Sequence, residues 1–399
     1  MKTLFINVTY KTTSTGKIVF DLAKGMENDN NEVIVCYGRG KKEKDNISYK
    51  FSLDFETYLH ALLARITGLN GYFSFFSTRR LIKYIDKFNP DIIHIHELHA
   101  YFVNIKPLIE HIKAKKIRTI WTFHCEYMYT GKCGYAFDCM KYQDTCGNCP
   151  HLNEYPKSLF FDKTKKMITD KKNMLLNFNF IIVTPSQWLA NRVKTSFLSD
   201  KKTVVIHNGV DTLHIFHPCD ATNIVEKYNL RNKKTVLSVA PNILQDIKGG
   251  KWIFKIAEKM PDIQFILIGA NKNETRVISN IIFLPLVTDS LIISQFYSAA
   301  DVFLLCSKRE TFSMTCAESL CCGTPIVGFK CGAPETIFKE PYAKFVEYGN
   351  IYEIKNEILK MIECNYNNEK IYEYAKKLYS NEIMYKNYLQ AYNTLLSEN

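Results

Sequence analysis

The chain has 399 residues, 46% of them hydrophobic and 13% aromatic, enough to bury more than one core and too apolar for a disordered segment. Its formal charge of +12, from 52 Lys and Arg against 40 Asp and Glu, favours anionic partners, but the basic residues are scattered over what read as solvated helix faces. No apolar run approaches the roughly 18 residues of a membrane span, and the 13 cysteines, diluted and including the adjacent pair Cys321-Cys322 in a helical pattern, fit a reducing cytoplasm better than a disulfide scaffold.

The N-terminus, MKTLFINVTY, runs into a strand-like pattern without the apolar core and cleavage site of a signal peptide. Short β-branched runs occur at 3–8, 33–36, 91–95, 117–122 and 180–183, then at 203–206, 235–239, 263–268, 281–284, 302–305 and 325–328, with helix-length segments between them. Such alternation predicts parallel sheets covered on both faces, and two sets of strands exceed one modest sheet. The expected fold class is α/β, as two doubly wound, Rossmann-like domains. The break is placed in KTSFLSDKKTVV, after a helix at 187–197, giving an N-terminal domain at 1–198 and a C-terminal domain at 199–379. A final helix at 380–399 can pack back on the first domain. Ligands of such sheets bind beyond the carboxyl ends of the strands.

In chain order, TSTGKIVFDLAKG puts Gly16 between the first strand and the first helix, where a glycine lets backbone approach a ligand or simply turn tightly. LHALLARITGLNGYFSFFSTRRLIKYI mixes aromatics with Arg65, Arg79, Arg80 and Lys83. It reads either as a helix pair covering the sheet or as a surface that meets an anionic membrane. DIIHIHELHA ends a strand with His94, His96 and His99, a spacing that suggests one buried and two cleft-lining histidines rather than a metal site. TIWTFHCEYMYTGKCGYAFDCMKYQDTCGNCP carries Cys133, Cys139, Cys146 and Cys149, spaced C-x5-C-x6-C-x2-C. Four thiols ending in a Cys-x2-Cys knuckle suit a tetrahedral structural zinc, which would staple a polar excursion with little apolar material to bury. An iron-sulfur cluster and a loop of free thiols are the alternatives.

In the second half, TVLSVAPNILQDIKGGKWIF reads as a strand, a loop and a helix, with Lys248 and Gly249 placed to cradle a diphosphate. KRETFSMTCAESLCCGTPIVG places Glu310 in the turn after a strand and Glu318 about two turns inside a helix that starts near Phe312 or Ser313. The helix start offers unpaired N–H groups to a phosphate or sugar oxygen, and a carboxylate can accept from two neighbouring hydroxyls of a ribose or hexose. The plainer alternative is a dipole partner at 310 and a solvated glutamate at 318. The last segment, IYEYAKKLYSNEIMYKNYLQAYNTLLSEN, has the spacing of one or two amphipathic helices.

Glu310-x7-Glu318 followed by SLCCGTPIVG resembles the donor-site signature of the retaining glycosyltransferases of family 4, whose GT-B fold has two Rossmann-like domains facing across a cleft. The cysteine-rich stretch through YPKS resembles a bacterial exopolysaccharide subgroup related to colanic-acid glycosyltransferases, and VIHNGVD at 205–211 is a further landmark. The resemblance implies that Glu310 approaches the transferred sugar, that Glu318 holds the ribose, and that the backbone of Phe312 and Ser313 meets sugar and diphosphate. It also implies that Lys248 and Gly249 bind the diphosphate, that the Gly16 loop faces the donor, and that His124 is directed at the donor sugar. Two positions depart from the family pattern: Asn242 stands where an arginine is usual, and Cys125 where an aspartate commonly follows the histidine.

The expectation is a retaining hexosyltransferase that moves a sugar from a UDP- or GDP-linked donor to a glycan or glycolipid acceptor. The helix start, the glycine amides and Lys248 would stabilise the leaving diphosphate, so no catalytic metal is expected. The expected location is cytoplasmic, with peripheral contact at the inner face of the membrane. A sugar-nucleotide-binding protein without efficient turnover is the alternative class, motivated by Asn242 and Cys125. A nicotinamide oxidoreductase lacks support because no Gly-x-Gly-x-x-Gly follows the first strand, and nucleic-acid binding leaves the paired glutamates unexplained.

Overall fold

The computed structural model describes residues 1–270 and 278–397. Its chain forms two compact units, one of Met1–Ile206 together with the chain from Met384 onward, the other of His207–Ile383. The first is built on β1 (Lys2–Asn7), β2 (Glu32–Tyr37), β3 (Ser48–Lys50), β4 (Ile92–Ile95), β5 (Arg118–Thr122), β6 (Ile181–Thr184) and β7 (Thr203–Val205). These strands are all parallel, in the order β3-β2-β1-β4-β5-β6-β7. The second unit holds β8 (Thr235–Val239), β9 (Gln264–Ile268), β10 (Ile281–Leu284), β11 (Val302–Leu305), β12 (Ile326–Phe329) and β13 (Ala343–Val346). Their order is β10-β9-β8-β11-β12-β13, again parallel throughout.

Continuous apolar runs make the central strands: IIHI in β4, FILI within β9 and VFLL in β11 are buried at every position, as strands with helices on both faces must be. The strand order reverses between β1 and β4 in one sheet and between β8 and β11 in the other. At such a reversal the connections leave in opposite directions, and a crevice opens beyond the strands' carboxyl ends.

Two features differ from the sequence expectation. The 203–206 run does not open the second sheet; β7 pairs with β6, Ile182 against Thr203, as the half-buried edge of the first. Strands β3 (SYK) and β13 (AKFV) lack a continuous apolar run because each lies at a sheet edge, so only their pairing reveals them. The final segment, read as one or two amphipathic helices, forms two, Asn368–Tyr379 and Asn381–Ser397, parted at the extended Ser380.

From Met384 that last helix belongs to the first unit, where Tyr388 and Tyr392 are fully buried. The Tyr392 hydroxyl lies 2.7 Å from His94 Nδ1 and the Tyr388 hydroxyl 3.0 Å from Thr122 Oγ1, so the chain's last turns close the core over β4 and β5.

Candidate active site

In the second unit the chemistry gathers at the β8/β11 reversal. Strand β8 leads through a short 3-10 turn, Asp246–Lys248, to Gly249 and the helix Gly250–Glu258. Gly249 has φ +79°, and a Cβ there would come 2.0 Å from the Cys306 carbonyl oxygen. Only glycine combines that backbone with that approach, which presses the loop after β8 against the end of β11. The Lys308 amide donates to the Ile247 carbonyl at 2.9 Å and ties the two loops together.

Glu310 is pinned by its own backbone: its N–H donates to Cys331 O at 2.9 Å and its carbonyl accepts from the Ala333 N–H at 3.1 Å. The side chain can therefore meet Lys248, whose Nζ donates to Glu310 Oε1 at 2.7 Å. The Glu310 carboxylate outweighs the burial of Lys248 and lifts its pKa above the usual lysine range, so the lysine stays an ammonium.

The helix Met314–Cys321 begins at the mouth of this pair. Ser313 occupies its N-cap at φ 80° without a side-chain capping bond, and the first turn holds no acidic residue, so the positive end of the helix carries no compensating anion of its own. The Phe312 ring packs against His207, Phe338 and Tyr379. Glu318 is the fifth helical residue, a little over one turn inside rather than about two, because the helix opens at Met314. Its Oε2 accepts from the Tyr297 hydroxyl at 3.0 Å. Tyr297 was invisible in the sequence, where it reads as one more core aromatic of the helix Ser290–Ala299.

In the first unit the ends of β4 and β5 carry a second cluster. His94 and His96 are both buried and His99 is partly exposed, the reverse of the expected one and two, because Tyr392 covers His94. His96 Nδ1 lies 2.9 Å from His124 Nε2. Burial, opposed by Glu97, brings the His124 pKa down to about 4, so the ring is neutral. Glu97 meets His99 Nε2 at 2.6 Å and accepts the Cys125 S–H at 3.3 Å. Burial pushes the Glu97 carboxyl up, but His99, His124 and Cys125 together hold it below its ordinary range. The Cys125 thiol is pushed up by burial and by Glu97 and stays protonated. Gly16 lies in the first turn of the helix Thr13–Asn28 rather than ahead of it; a Cβ would come 2.7 Å from Thr9 Oγ1, so its smallness lets the loop after β1 lie on the helix. Cys133, Cys139, Cys146 and Cys149 line one small cavity in the excursion after β5.

The comparisons with known proteins agree with these two units. Residues 15–213 match the family described as Glycosyltransferase Family 4, and residues 220–378 match Glycosyl transferases group 1. The chain belongs to the family 4 glycosyltransferases. This glycosyltransferase is 21% identical over 345 residues to WcaC of Escherichia coli (strain K12), a protein named as a colanic acid biosynthesis glycosyl transferase, across 82% of this chain and 81% of that one. Among solved structures, sucrose-phosphate synthase from Thermosynechococcus elongatus matches at a TM-score of 0.71 and 14% identity, covering 100% of both chains. Alr3699/HepE of Anabaena, solved with UDP-glucose, matches at 0.68 and 15%, covering 99% of this chain and 100% of that one. The glycosyltransferase thus has the GT-B fold. Its departure at Asn242 falls on a left-handed backbone, φ 51°, which asparagine tolerates better than most residues.

Proposed function

We propose that this glycosyltransferase transfers a hexose, with retention, from a nucleotide-diphosphate sugar to a growing surface glycan. The observation that carries the reading is the Lys248–Glu310 ion pair at the β8/β11 reversal, beside a helix start with no capping side chain. A diphosphate at that helix start meets the amides after Ser313 and the Lys248 ammonium, while Glu310 lies against the sugar. Glu318, held by Tyr297, accepts from the ribose hydroxyls. When the bond from the anomeric carbon to the diphosphate oxygen breaks, Lys248 and the helix start stabilise the new charge. The acceptor hydroxyl forms its bond on the same face and passes its proton to the departing phosphate. Lys308 and Arg309, on the Glu310 loop, supply the cationic charge absent at Asn242. In the first unit Glu97 supplies, through Cys125 and beside His124, the carboxylate that the residue after His124 lacks.

The UDP-glucose complex of HepE supports a nucleotide-sugar donor, and the name of WcaC supports an exopolysaccharide acceptor. Incubating the protein with UDP- and GDP-sugars and reading nucleoside diphosphate release identifies the donor; Glu310→Gln is expected to abolish release. Donor binding without release in the wild type would favour a sugar-nucleotide-binding protein, the reading that Asn242 motivates. A product of inverted anomeric configuration by NMR would end the claim of retention.

We further propose that the acceptor is lipid-linked and that the first unit meets an anionic membrane surface. Phe55, Tyr58, Leu59, Leu62 and Ile66 lie exposed along one side of the helix Asp54–Thr67, Tyr58 at 71%. The Leu159 amide donates to the Arg65 carbonyl and brings the exposed Phe160 and Phe161 beside them, with Arg65, Lys157 and Lys163 exposed nearby. An apolar face among basic residues suits the headgroup boundary. Among the described residues no helix is long and apolar enough to cross a membrane. Co-sedimentation with anionic vesicles at low salt, reduced by Leu62→Glu, is expected; no binding to such vesicles would refute the surface.

A further inference from the structure

We propose that Cys133, Cys139, Cys146 and Cys149 bind one structural zinc ion. The segment between β5 and the helix Thr164–Leu175 holds only two short 3-10 turns, Tyr127–Tyr129 and Lys141–Gln143, so backbone pairing contributes little to its shape. The four cysteines converge from this irregular chain on one cavity of about 20 Å³. A space of that size holds one water-sized occupant, which suits a single ion. All four thiols are free of disulfides. Cys146 Sγ accepts the Gly131 N–H at 3.3 Å, the kind of contact that holds a metal-bound sulfur in place. Gly147 and Asn148, at φ 135° and 45°, give the Cys-x2-Cys knuckle its turn.

Two buried lysines hold the backbone around this cavity. Lys132 lies in the irregular segment and Lys171 on the helix Thr164–Leu175, with 2% and 5% of their surface exposed. Lys171 Nζ donates to the carbonyls of Tyr127, Thr130 and Gly131, and Lys132 Nζ to those of Leu152, Glu154 and Pro156. These bonds tie the chain just before Cys133 to that helix and to the chain just after Cys149, which keeps the four sulfurs at one cavity.

Among the described residues, the set with three ligand atoms within 4.8 Å of one another is Glu97, His99 and Cys125, so the four sulfurs stand around their cavity rather than gathered at a point. Zinc–sulfur bonds of about 2.3 Å in a tetrahedron hold sulfurs about 3.8 Å apart. Binding therefore draws the knuckle inward and requires all four sulfurs as thiolates. With every position filled by sulfur, the ion activates no water. It fixes the segment in which the Glu126 N–H donates to Gly134 O and Glu126 Oε2 accepts from the Ala136 N–H, next to Cys125 and His124.

The test uses the full chain, purified without chelator. Elemental analysis is expected to give about one zinc per chain, and the cobalt(II)-substituted protein to show the visible absorption of a tetrahedral thiolate site. Cys146→Ser with Cys149→Ser is expected to lose the metal, whereas Cys125→Ala, which alters the Glu97 cluster, retains it. The proposal is overturned by wild-type protein with neither metal nor a cobalt thiolate spectrum, or by iron with acid-labile sulfide. Zinc retained by the double variant or lost from Cys125→Ala would also overturn it. The wild-type measurements need no variant to fold.

Discussion

Lys248 and Glu310 are paired at 2.7 Å, so each is positioned by the other. Lys248→Ala removes a cation aimed at charge that develops only as the diphosphate leaves. The expected result is a fall in kcat of on the order of 100- to 1000-fold, with a smaller change in donor KM; steady-state kinetics with the identified donor checks it, and an effect confined to KM would contradict the role. Glu318 differs because the ribose it is proposed to hold does not change during reaction. Glu318→Gln keeps an oxygen for the Tyr297 hydroxyl and loses the charge, so KM for the donor should rise about 10- to 100-fold at nearly unchanged kcat. A loss mainly in kcat would instead place Glu318 at the reacting atoms.

The helix Asp54–Thr67 and the helix Phe75–Phe88 are joined through one buried imidazole. His60 Nε2 accepts the Gly71 N–H at 3.1 Å, so its proton is on Nδ1, which donates to Ser74 Oγ at 2.8 Å. Ser74 Oγ in turn donates to the Tyr101 carbonyl at 3.1 Å, a chain that needs a neutral ring. Burial brings the His60 pKa down from 6.5 to about 3. The unfolded chain takes up this proton as pH falls below its ordinary value, while the folded chain refuses it until about pH 3. Stability is thus lost on acidification through that window, by about 2 kcal/mol between about pH 7 and about pH 5 for this group. Urea unfolding of wild type and His60→Gln at those two values checks the sign, since the variant should lose less stability on acidification. An equal loss in both would assign the acid response to other groups, such as His94 and His96, whose pKa values burial also lowers.

At the scale of the whole molecule, the first unit is completed only by the last turns of the chain. Tyr392, 298 residues from His94 in sequence, is the partner of that buried ring. Tyr392→Phe leaves His94 Nδ1 without its partner in a closed core and should cost about 1–3 kcal/mol. Tyr385, whose hydroxyl donates to Asp29 at the surface, offers the comparison: Tyr385→Phe should cost well under 1 kcal/mol. Chemical denaturation followed by proteolysis of the first unit reads the difference, and equal costs would mean that the C-terminal helix does not seal that core.

The family and the α/β class were legible in local sequence, because helix starts, glycine turns and buried parallel strands leave contiguous patterns. KGG before a helix and Glu-x7-Glu around another are each set by one strand–turn–helix unit, so a short stretch carries the whole signal. What pairs across units of sequence was not legible. The meeting of Lys248 with Glu310, Tyr297 beneath Glu318, the Glu97–Cys125 bond and the Tyr392–His94 seal join residues 62, 21, 28 and 298 positions apart. Strand β7 joined the first sheet and β3 and β13 were edges for the same reason: a half-buried strand has no apolar run, and only the neighbour it pairs with tells it from a loop. By itself the sequence determined the family, the α/β class and the buried apolar strands with the helices between them. The tertiary structure alone decided which of those groups share a proton, a charge or a buried wall, because such partners are chosen by strand order and packing, which no local spacing records.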